Sequence, residues 1–317
     1  MSTLEGFPRG WFVVAWSKEL EPGGVKPLSY FGTKLVLFRT EDGEAKILDA
    51  FCPHLGAHLG IGGKVVGDSI KCPFHAWEFD GAGACTRIPY LREGAKIPPK
   101  ARMRSWPVTE KNGIIFVWHD KDGGAPDWEV PAVEEYGAEG WSDWYPNILE
   151  GVKTHPKEIV ENVADSAHFP TVHRTFVEKF ENIYDGHKAT QHTVGLAEPP
   201  QGGQDHFDIV ATYYGPAFQI SDMKGVLHTR LFLAHTPIDE NHLDLRFAVM
   251  LELSGPKTDT FAQFYVDNLR LGFHEDIDIW EHKEYRPRPL LVQGDGPIGR
   301  LRSWYGQFYR SRKNVGA

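Results

Sequence analysis

Cysteine is scarce in this sequence, and long apolar runs are absent from it. Three cysteines among 317 residues are too few for a disulfide scaffold. The longest apolar stretches, residues 11–16 and 113–118, fall far short of the roughly 20 residues that a membrane-spanning helix needs. Residues 1–10 also lack a basic region followed by an apolar stretch. The sequence therefore predicts no transmembrane segment and no secretory signal, and it indicates the reducing cytoplasm.

Positive charge is also in deficit. The 34 Lys and Arg residues are outnumbered by 43 Asp and Glu residues, which gives a net charge of −9 at pH 7. Such a chain repels nucleic acid, so we expect no nucleic-acid partner. Hydrophobic residues make up 41% of the chain and aromatic residues 13%, a balance that excludes a disordered or collagen-like chain.

The first part of the chain has the pattern of short β-strands separated by turns. Turn pairs such as Asp42-Gly43 and Asn112-Gly113 flank the strand-forming runs. These runs lie at residues 13–16, 34–38, 46–48, 69–71 and 114–118. The composition then changes at the glycine-rich segment 122–126, so we predict one domain at 1–122 and a second at 123–317. The first is predicted to be a small antiparallel β-domain.

The second domain has a mixed pattern of helices and strands. A helical pattern at 157–169 begins after Pro156 and is predicted to end at Pro170. Strand-forming runs follow at 207–214, 226–235 and 243–253, and then a long amphipathic helix at 260–285. The whole chain is therefore predicted to have an α+β fold.

Two turn-rich loops each carry one cysteine and one histidine. The first contains Cys52-x-His54 and the second Cys72-x-x-His75, with seventeen residues between His54 and Cys72. Two thiolates and two imidazoles suit a [2Fe–2S] centre in which one iron keeps two cysteines and the other takes two histidines. Gly56 and Gly60, which flank the first loop, would let backbone amides approach the bridging sulfides. A structural zinc site is the alternative, although zinc fingers group their cysteines and histidines separately.

A second set of potential metal ligands lies in the predicted helix at 157–169 and just after it. Helical spacing places Glu161, Asp165 and His168 on one face. His173 follows five residues after His168, a spacing that separates the two rings on a regular helix. We expect Pro170 to break the helix between them, so that both imidazoles can bind one ion.

The long helix at 260–285 offers a carboxylate to this pair. Asp276 falls on the apolar stripe with Phe273, whereas Asp278 falls on the polar face. A buried carboxylate is unfavourable unless it is paired or bound to a metal. His168, His173 and Asp276 thus predict the two-histidine, one-carboxylate set of non-haem Fe(II) oxygenases, which leaves positions open for dioxygen. An ion pair of Asp276 with an internal arginine is the alternative.

Both motif sets resemble those of the Rieske non-haem iron oxygenases. The loops with Cys52 and Cys72 are similar to the Rieske signature, without the extra cysteines of respiratory Rieske proteins. The catalytic-domain motif of the family resembles Asn162-x-x-Asp165-x-x-His168-x4-His173, and its carboxylate segment resembles residues 275–280. Shorter strings are similar to the oxygenase component of 3-ketosteroid 9α-hydroxylase and to cholesterol 7-desaturases. These strings lie at 31–38, 88–90 and 304–309.

This resemblance implies an architecture and a set of cofactors. The expected fold is an antiparallel β Rieske domain followed by a helix-grip-like α+β catalytic domain with a central antiparallel sheet. The expected cofactors are a Rieske [2Fe–2S] cluster and a mononuclear Fe(II), with O2 as co-substrate. Electrons would come from NAD(P)H through a separate reductase, directly or through a ferredoxin, because no glycine-rich dinucleotide motif follows a strand here. The family also implies a homotrimer.

The resemblance assigns roles to two further residues. Asp165 would bridge His75 of one subunit and His168 of the next, and so carry electrons between subunits. Asn162 would stand beside the iron ligands. An exposed helix carboxylate without such a role is the alternative for Asp165.

The strands at 207–214, 226–235 and 243–253 are rich in apolar side chains, which favours an apolar polycyclic substrate. By resemblance this is a steroid or sterol that undergoes hydroxylation, methyl oxidation or desaturation. Hydroxylation or demethylation of a small aromatic or ammonium compound is one alternative. A Rieske electron-transfer protein without catalysis is another, but it would need only the first domain.

Overall fold

The computed structural model describes residues 4–198, 203–253 and 258–311, with side chains of the last range from 263 onward. Its contacts divide the chain into two compact units, one of residues 11–130 and one of residues 1–10 with 131–317. The division at 130/131 lies shortly after the boundary at 122/123 that the composition predicts. Within these described ranges, no helix is long and apolar enough to cross a bilayer.

The unit of residues 11–130 is built from short strands. They are β1 (Gly10–Trp16), β2 (Val25–Tyr30), β3 (Thr33–Arg39), β4 (Ala45–Asp49), β5 (Lys64–Val66), β6 (Ser69–Lys71), β7 (Glu78–Phe79), β8 (Cys85–Arg87), β9 (Ser105–Trp106), β10 (Val108–Lys111) and β11 (Ile114–His119). They form three sheets, in the orders β1-β11-β10, β2-β3-β4-β9 and β5-β6-β7-β8. The predicted strand runs all lie within β1, β3, β4, β6 and β11, so these predictions are confirmed.

Apolar side chains explain these strands and place the first candidate site. Every residue of β1 and β11 is buried, as expected of continuous apolar runs that are covered on both faces. A second cluster of buried residues includes Val36, Leu48 and Phe79. Cys52 and Cys72 belong to that cluster and are each about 3% exposed. The two cysteine side chains are therefore buried in a hydrophobic core, although they stand in loops with exposed neighbours.

The described residues of the unit 131–317 form one large sheet and four α-helices. Its elements are β12 (Tyr145–Val152), α1 (Pro156–Glu161), α2 (His168–Val172), β13 (Thr175–Asp185), β14 (Lys188–Ala197), β15 (Asp205–Tyr214), β16 (Phe218–Lys224), β17 (His228–Pro237), β18 (Leu243–Leu251), α3 (Thr258–His282) and α4 (Ile298–Tyr305). The sheet is antiparallel throughout, in the order β12-β18-β17-β16-β15-β14-β13.

The core of this unit lies between the sheet and α3. Leu231 on β17 and Phe247 on β18 share one buried cluster with Val266 and Trp280 on α3. The predicted strands 207–214, 226–235 and 243–253 correspond to β15, β17 and β18. An antiparallel sheet in an α+β unit is thus confirmed.

Strands β12, β13, β14 and β16 of this unit were not predicted from the sequence. The buried positions of β14 are occupied by Ala189, Gln191, Thr193 and Gly195, which are small or polar. A strand of this composition shows almost no hydrophobic alternation, and alternation is the signal that sequence interpretation depends on.

The prediction of one helix across 157–169 is wrong in its second half. α1 ends at Glu161, a short 3₁₀ turn covers Asn162–Ala164, and Asp165 is extended, with φ −93° and ψ 102°. Pro170 does not end a helix: it is the third residue of α2, within a first turn where its missing N–H removes no hydrogen bond. The face predicted to hold Glu161, Asp165 and His168 together therefore does not form.

Two candidate metal sites

The two loops that carry the cysteines have the same backbone conformation. In each loop the cysteine N–H donates to the carbonyl five residues later, Ala57 or Trp77, at 2.9 and 2.8 Å. In each, the fourth residue after the cysteine donates back to the cysteine carbonyl at 2.9 or 3.1 Å, and this residue has a left-handed backbone. It is Gly56, with φ +77°, in the first loop and Ala76, with φ +57°, in the second. Two matching turns thus present their cysteines alike.

The histidines of these loops lie side by side. The ring centroids of His54 and His75 are 4.7 Å apart. Trp77 stacks on His54 at 4.6 Å and 9°, and the Trp77 indole donates a 2.8 Å hydrogen bond to the Tyr90 hydroxyl. The sequence interpretation missed Trp77, although its place two residues after His75 was a usable signal.

The four side chains fit a [2Fe–2S] centre. Burial, with help from the neighbouring Cys72, raises the pKa of the Cys52 thiol to about 11. Such a thiol becomes a thiolate when a metal supplies positive charge. Nδ1 of His54 is buried and has no hydrogen-bond partner among the described residues, as expected of a nitrogen reserved for a ligand. Cys85 is half-buried, and its thiol is 3.6 Å from the Arg87 carbonyl.

The second candidate site combines two elements that are distant in sequence. Ligand atoms of His168, His173 and Asp276 all lie within 4.8 Å of one another. The two imidazole centroids are 5.2 Å apart, and Nε2 of His173 is 3.5 Å from an Asp276 carboxylate oxygen. The histidines come together because α2 has only five residues. His173 directly follows α2, and its backbone, with ψ 3°, is no longer helical.

Asp276 is placed by the helical phase of α3. It is 9% exposed, whereas Asp278 is exposed to solvent, as the stripe pattern predicts. In the described chain its ion pair is with His173, and no arginine pairs with it. Burial alone would lower the pKa of His173, but the Asp276 carboxylate raises it above its ordinary value. The site therefore attracts positive charge.

Asp165 supports His168 and stands between the two helices. Its Oδ1 accepts the backbone N–H groups of Ala167 at 3.0 Å and His168 at 3.3 Å, and Oδ2 lies 3.8 Å from Nδ1 of His168. This side chain competes for helical N–H groups, which explains why the helix breaks here. Burial would raise the pKa of Asp165, but the His168 ring and these N–H groups lower it.

Two other residues of the predicted motif have separate partners. Glu161 forms a two-pronged ion pair with Arg302, with distances of 2.6 and 3.0 Å, so it is not a ligand. Asn162 accepts a 3.4 Å hydrogen bond from the Trp280 indole and lines the same cavity as the metal set. Glu275, which the sequence interpretation left without a role, approaches Nδ1 of His173 at 4.0 Å.

The candidate metal set lies between two adjoining cavities. One, of about 190 Å³, extends between the sheet and the helices, and the other, of about 330 Å³, runs along α3. They share His173, Asp276, Leu231 and Phe273. No lysine or arginine lines either cavity in the described structure.

Each of the two parts of the chain matches a known family model. Residues 10–107 match the model of the Rieske [2Fe-2S] domain, and residues 117–309 match that of the 3-ketosteroid 9alpha-hydroxylase C-terminal domain. The chain belongs to this family of Rieske oxygenases. The predicted family, α+β fold and pair of iron cofactors are thereby confirmed.

Individual relatives extend over most of the chain. A 3-ketosteroid-9-alpha-monooxygenase oxygenase component from Rhodococcus rhodochrous is 37% identical, over 96% of this chain and 83% of its own. Cholesterol 7-desaturase nvd 1 from Ciona intestinalis is 32% identical, over 96% and 69%. The crystal structure of dicamba monooxygenase bound to dicamba shares the fold, with a TM-score of 0.78, 21% identity and coverage of 96% and 98%.

Proposed function

We propose that this chain is the terminal oxygenase component of a two-iron system that oxidises an apolar polycyclic substrate of the steroid or sterol class. The observation that carries the proposal is the position of His168, His173 and Asp276 in the wall of a mostly apolar cavity. The named activities of the Rhodococcus and Ciona relatives support the substrate class. The reaction is hydroxylation, methyl oxidation or desaturation.

The two sites hold different cofactors in this proposal. Cys52, Cys72, His54 and His75 hold the [2Fe–2S] cluster, and the second set holds one Fe(II). When bound, these centres supply single electrons and activation of O2. Asp165 orients His168, and Asn162 with Trp280 keeps the cavity wall beside the ligands in place.

The surface around the cluster histidines supports a protein partner. Exposed apolar side chains lie in or near the loops that carry them, and Phe74 and Tyr90 contact their rings. Such a composition is typical of docking surfaces. These side chains are Phe51, Leu55, Ile61, Phe74 and Tyr90, each more than half exposed. We infer that one part of this surface contacts a neighbouring subunit of a homotrimer, in which Asp165 links His75 of one subunit to His168 of the next. The part that stays exposed receives an NAD(P)H-dependent reductase or its ferredoxin. A cytoplasmic location belongs to the same proposal.

The cavity does not favour the two alternative functions, oxidation of a small aromatic or ammonium compound and electron transfer without catalysis. A small aromatic acid is bound best by a cation, and none of the described cavity residues is a lysine or arginine. An electron carrier would need neither the cavity nor the second metal set.

Turnover with a surrogate reductase tests the proposal. Purified enzyme, NADH and O2 are incubated with a panel of 3-ketosteroids, sterols and aromatic acids, and the products are analysed by mass. We expect a gain of 16 mass units, or a loss of two, in steroid or sterol products only. Turnover of aromatic acids alone would contradict the substrate class but not the oxygenase function.

A further inference from the structure

Four polar side chains face the cavity from the sheet. Gln191 and Thr193 belong to β14, and Gln219 and Ser221 to β16. Each is less than a tenth exposed. The strand register places Gln191, Ala211 and Ser221 in one row across three neighbouring strands. The four therefore form two polar pairs, one on β14 and one on β16, with Ala211 of β15 between them, and we call the two pairs together the polar row.

The polar row occupies positions that are apolar elsewhere in the sheet. On the same face, the register continues from Ser221 to Leu231 and Val249, which belong to the hydrophobic core. Burying polar groups in such a place costs free energy unless they find hydrogen-bond partners. The polar row therefore differs from ordinary core packing, and its side chains need hydrogen-bond partners.

The hydrogen bonds within the row use only part of its capacity. The Gln191 amide donates to the Thr193 hydroxyl, and Nε2 of Gln219 donates to the Ser221 hydroxyl at 2.7 Å. A carboxamide can donate twice and accept through its oxygen. Among the described residues, no donor reaches the carboxamide oxygen of Gln191 or Gln219. Donors and acceptors therefore remain for a molecule in the cavity.

The opposite wall of the cavity, formed by helices, carries the candidate metal ligands and apolar rings. It carries His168, His173 and Asp276, together with the apolar rings of Phe169 and Phe273. A bound molecule would lie between a helix wall with metal ligands and a sheet wall with amides and hydroxyls.

We propose that the polar row binds a carbonyl or hydroxyl oxygen of the substrate, so that the substrate is an apolar molecule with an oxygen directed at the sheet. This inference rests on the proposed oxygenase function and narrows its substrate class. The oxygen fixes the molecule, and the carbon to be oxidised faces the helix wall. A site built to hydrogen-bond such an oxygen rejects an analogue that lacks it, because the buried groups are then left unpaired.

Binding measurements test the inference without turnover. Equilibrium dialysis of the intact iron-loaded protein is carried out with tritiated androst-4-ene-3,17-dione and tritiated 5α-androstane, which has the same four rings without oxygen. We expect the dione to bind at least about 30-fold more tightly. In Gln191→Leu/Gln219→Leu we expect this ratio to fall to about threefold.

A matched control lies on the other face of the same sheet. The hydroxyls of Thr190 and Thr212 are 3.0 Å apart and point away from the cavity, so Thr190→Val/Thr212→Val should keep the full ratio. If the double leucine variant does not fold, Gln219→Met, which keeps the side-chain length, carries the same comparison.

The outcomes separate this inference from the proposed function. Equal affinity of the wild-type protein for both steroids would overturn the inference and leave the steroid substrate standing. If Gln191→Leu/Gln219→Leu kept the full ratio of affinities for the two steroids, the steroid oxygen would not be bound by the polar row. Binding of neither steroid would overturn the steroid substrate, and this inference with it.

Discussion

Asp276 and Asp278 are two residues apart on α3 but differ in their surroundings. Asp276 is buried beside His173, whereas Asp278 is exposed. At about 100° per residue, the two side chains point in nearly opposite directions. Burial and a histidine neighbour, and not proximity in sequence, therefore distinguish the candidate ligand.

We predict that Asp276→Ala removes the mononuclear iron and abolishes oxygenation, and that His168→Ala and His173→Ala do the same. Total iron should fall from about three to about two atoms per chain, while cluster absorption and acid-labile sulfide remain. Asp278→Ala is the matched control and should retain both iron and activity. Iron loss from Asp278→Ala with retention in Asp276→Ala would reverse the assignment.

His235 on β17 is a second residue whose burial has a measurable consequence. It is fully buried, and neither ring nitrogen has a hydrogen-bond partner among the described residues. Burial, followed by the nearby His155, lowers the pKa of His235 to about 3 from the ordinary 6.5. Between these values the unfolded chain binds more protons than the folded one, so acid favours unfolding.

We predict that the contribution of neutral His235 to the free energy of unfolding is complete above pH 6.5 and declines as the pH falls towards 3. The decline is about 1.4 kcal/mol per pH unit, or about 2 kcal/mol at pH 5. Urea denaturation of the wild type and of His235→Leu at pH 7 and pH 5 measures it as a change in the stability difference between them. A constant difference for His235→Leu would contradict the prediction.

At the scale of elements, the break between α1 and α2 depends on two other segments, strand β13 and a segment more than a hundred residues away. Asn182 donates a 2.7 Å hydrogen bond to the Val163 carbonyl, and the Ser166 hydroxyl donates to the Gly294 carbonyl at 2.9 Å. Gly296 packs so closely on the break that an added Cβ would lie 2.1 Å from the Ala164 carbonyl oxygen. This packing holds Asp165 in its extended conformation.

We predict that Gly296→Ala lowers the free energy of unfolding by at least about 2 kcal/mol and weakens the second metal site. Its backbone has φ +89°, which disfavours alanine, and the new methyl group would displace the Ala164 carbonyl. Urea denaturation and mononuclear iron content measure the two effects. Gly294→Ala is the control: it has φ +109° but no atom within 4 Å of its added Cβ, so it should cost about 1 kcal/mol and keep the iron. Equal effects of both variants would show that backbone strain alone matters.

At the scale of the whole molecule, the proposed electron route requires an oligomer. We predict that Cys72→Ala and His168→Ala chains, each inactive alone, recover part of the activity when co-expressed. In mixed oligomers an intact cluster of one subunit would then face an intact iron site of the next. Product formation by affinity-purified oligomers that contain both tags measures the recovery. No recovery in such oligomers would indicate an electron route within one chain.

The sequence by itself determined the features that depend on local spacing. The two Cys/His loops could be identified because each carries one cysteine and one histidine at close spacing, Cys52-x-His54 and Cys72-x-x-His75. The phase of α3 could be predicted because its apolar side chains recur with a helical period, and this phase separated Asp276 from Asp278. Strands with continuous apolar runs, such as β1 and β11, were also predictable.

Only the tertiary structure decided the features that depend on distant contacts. The break at Asp165 arises from its own side-chain hydrogen bonds and from packing by Gly296, so helical periodicity misled there. The polar row was hidden because buried glutamines in β14 and β16 resemble solvent-facing residues until the sheet register places them against the cavity. Hydrophobic periodicity reports the burial of apolar groups, and it contains no signal for polar groups buried to meet a ligand.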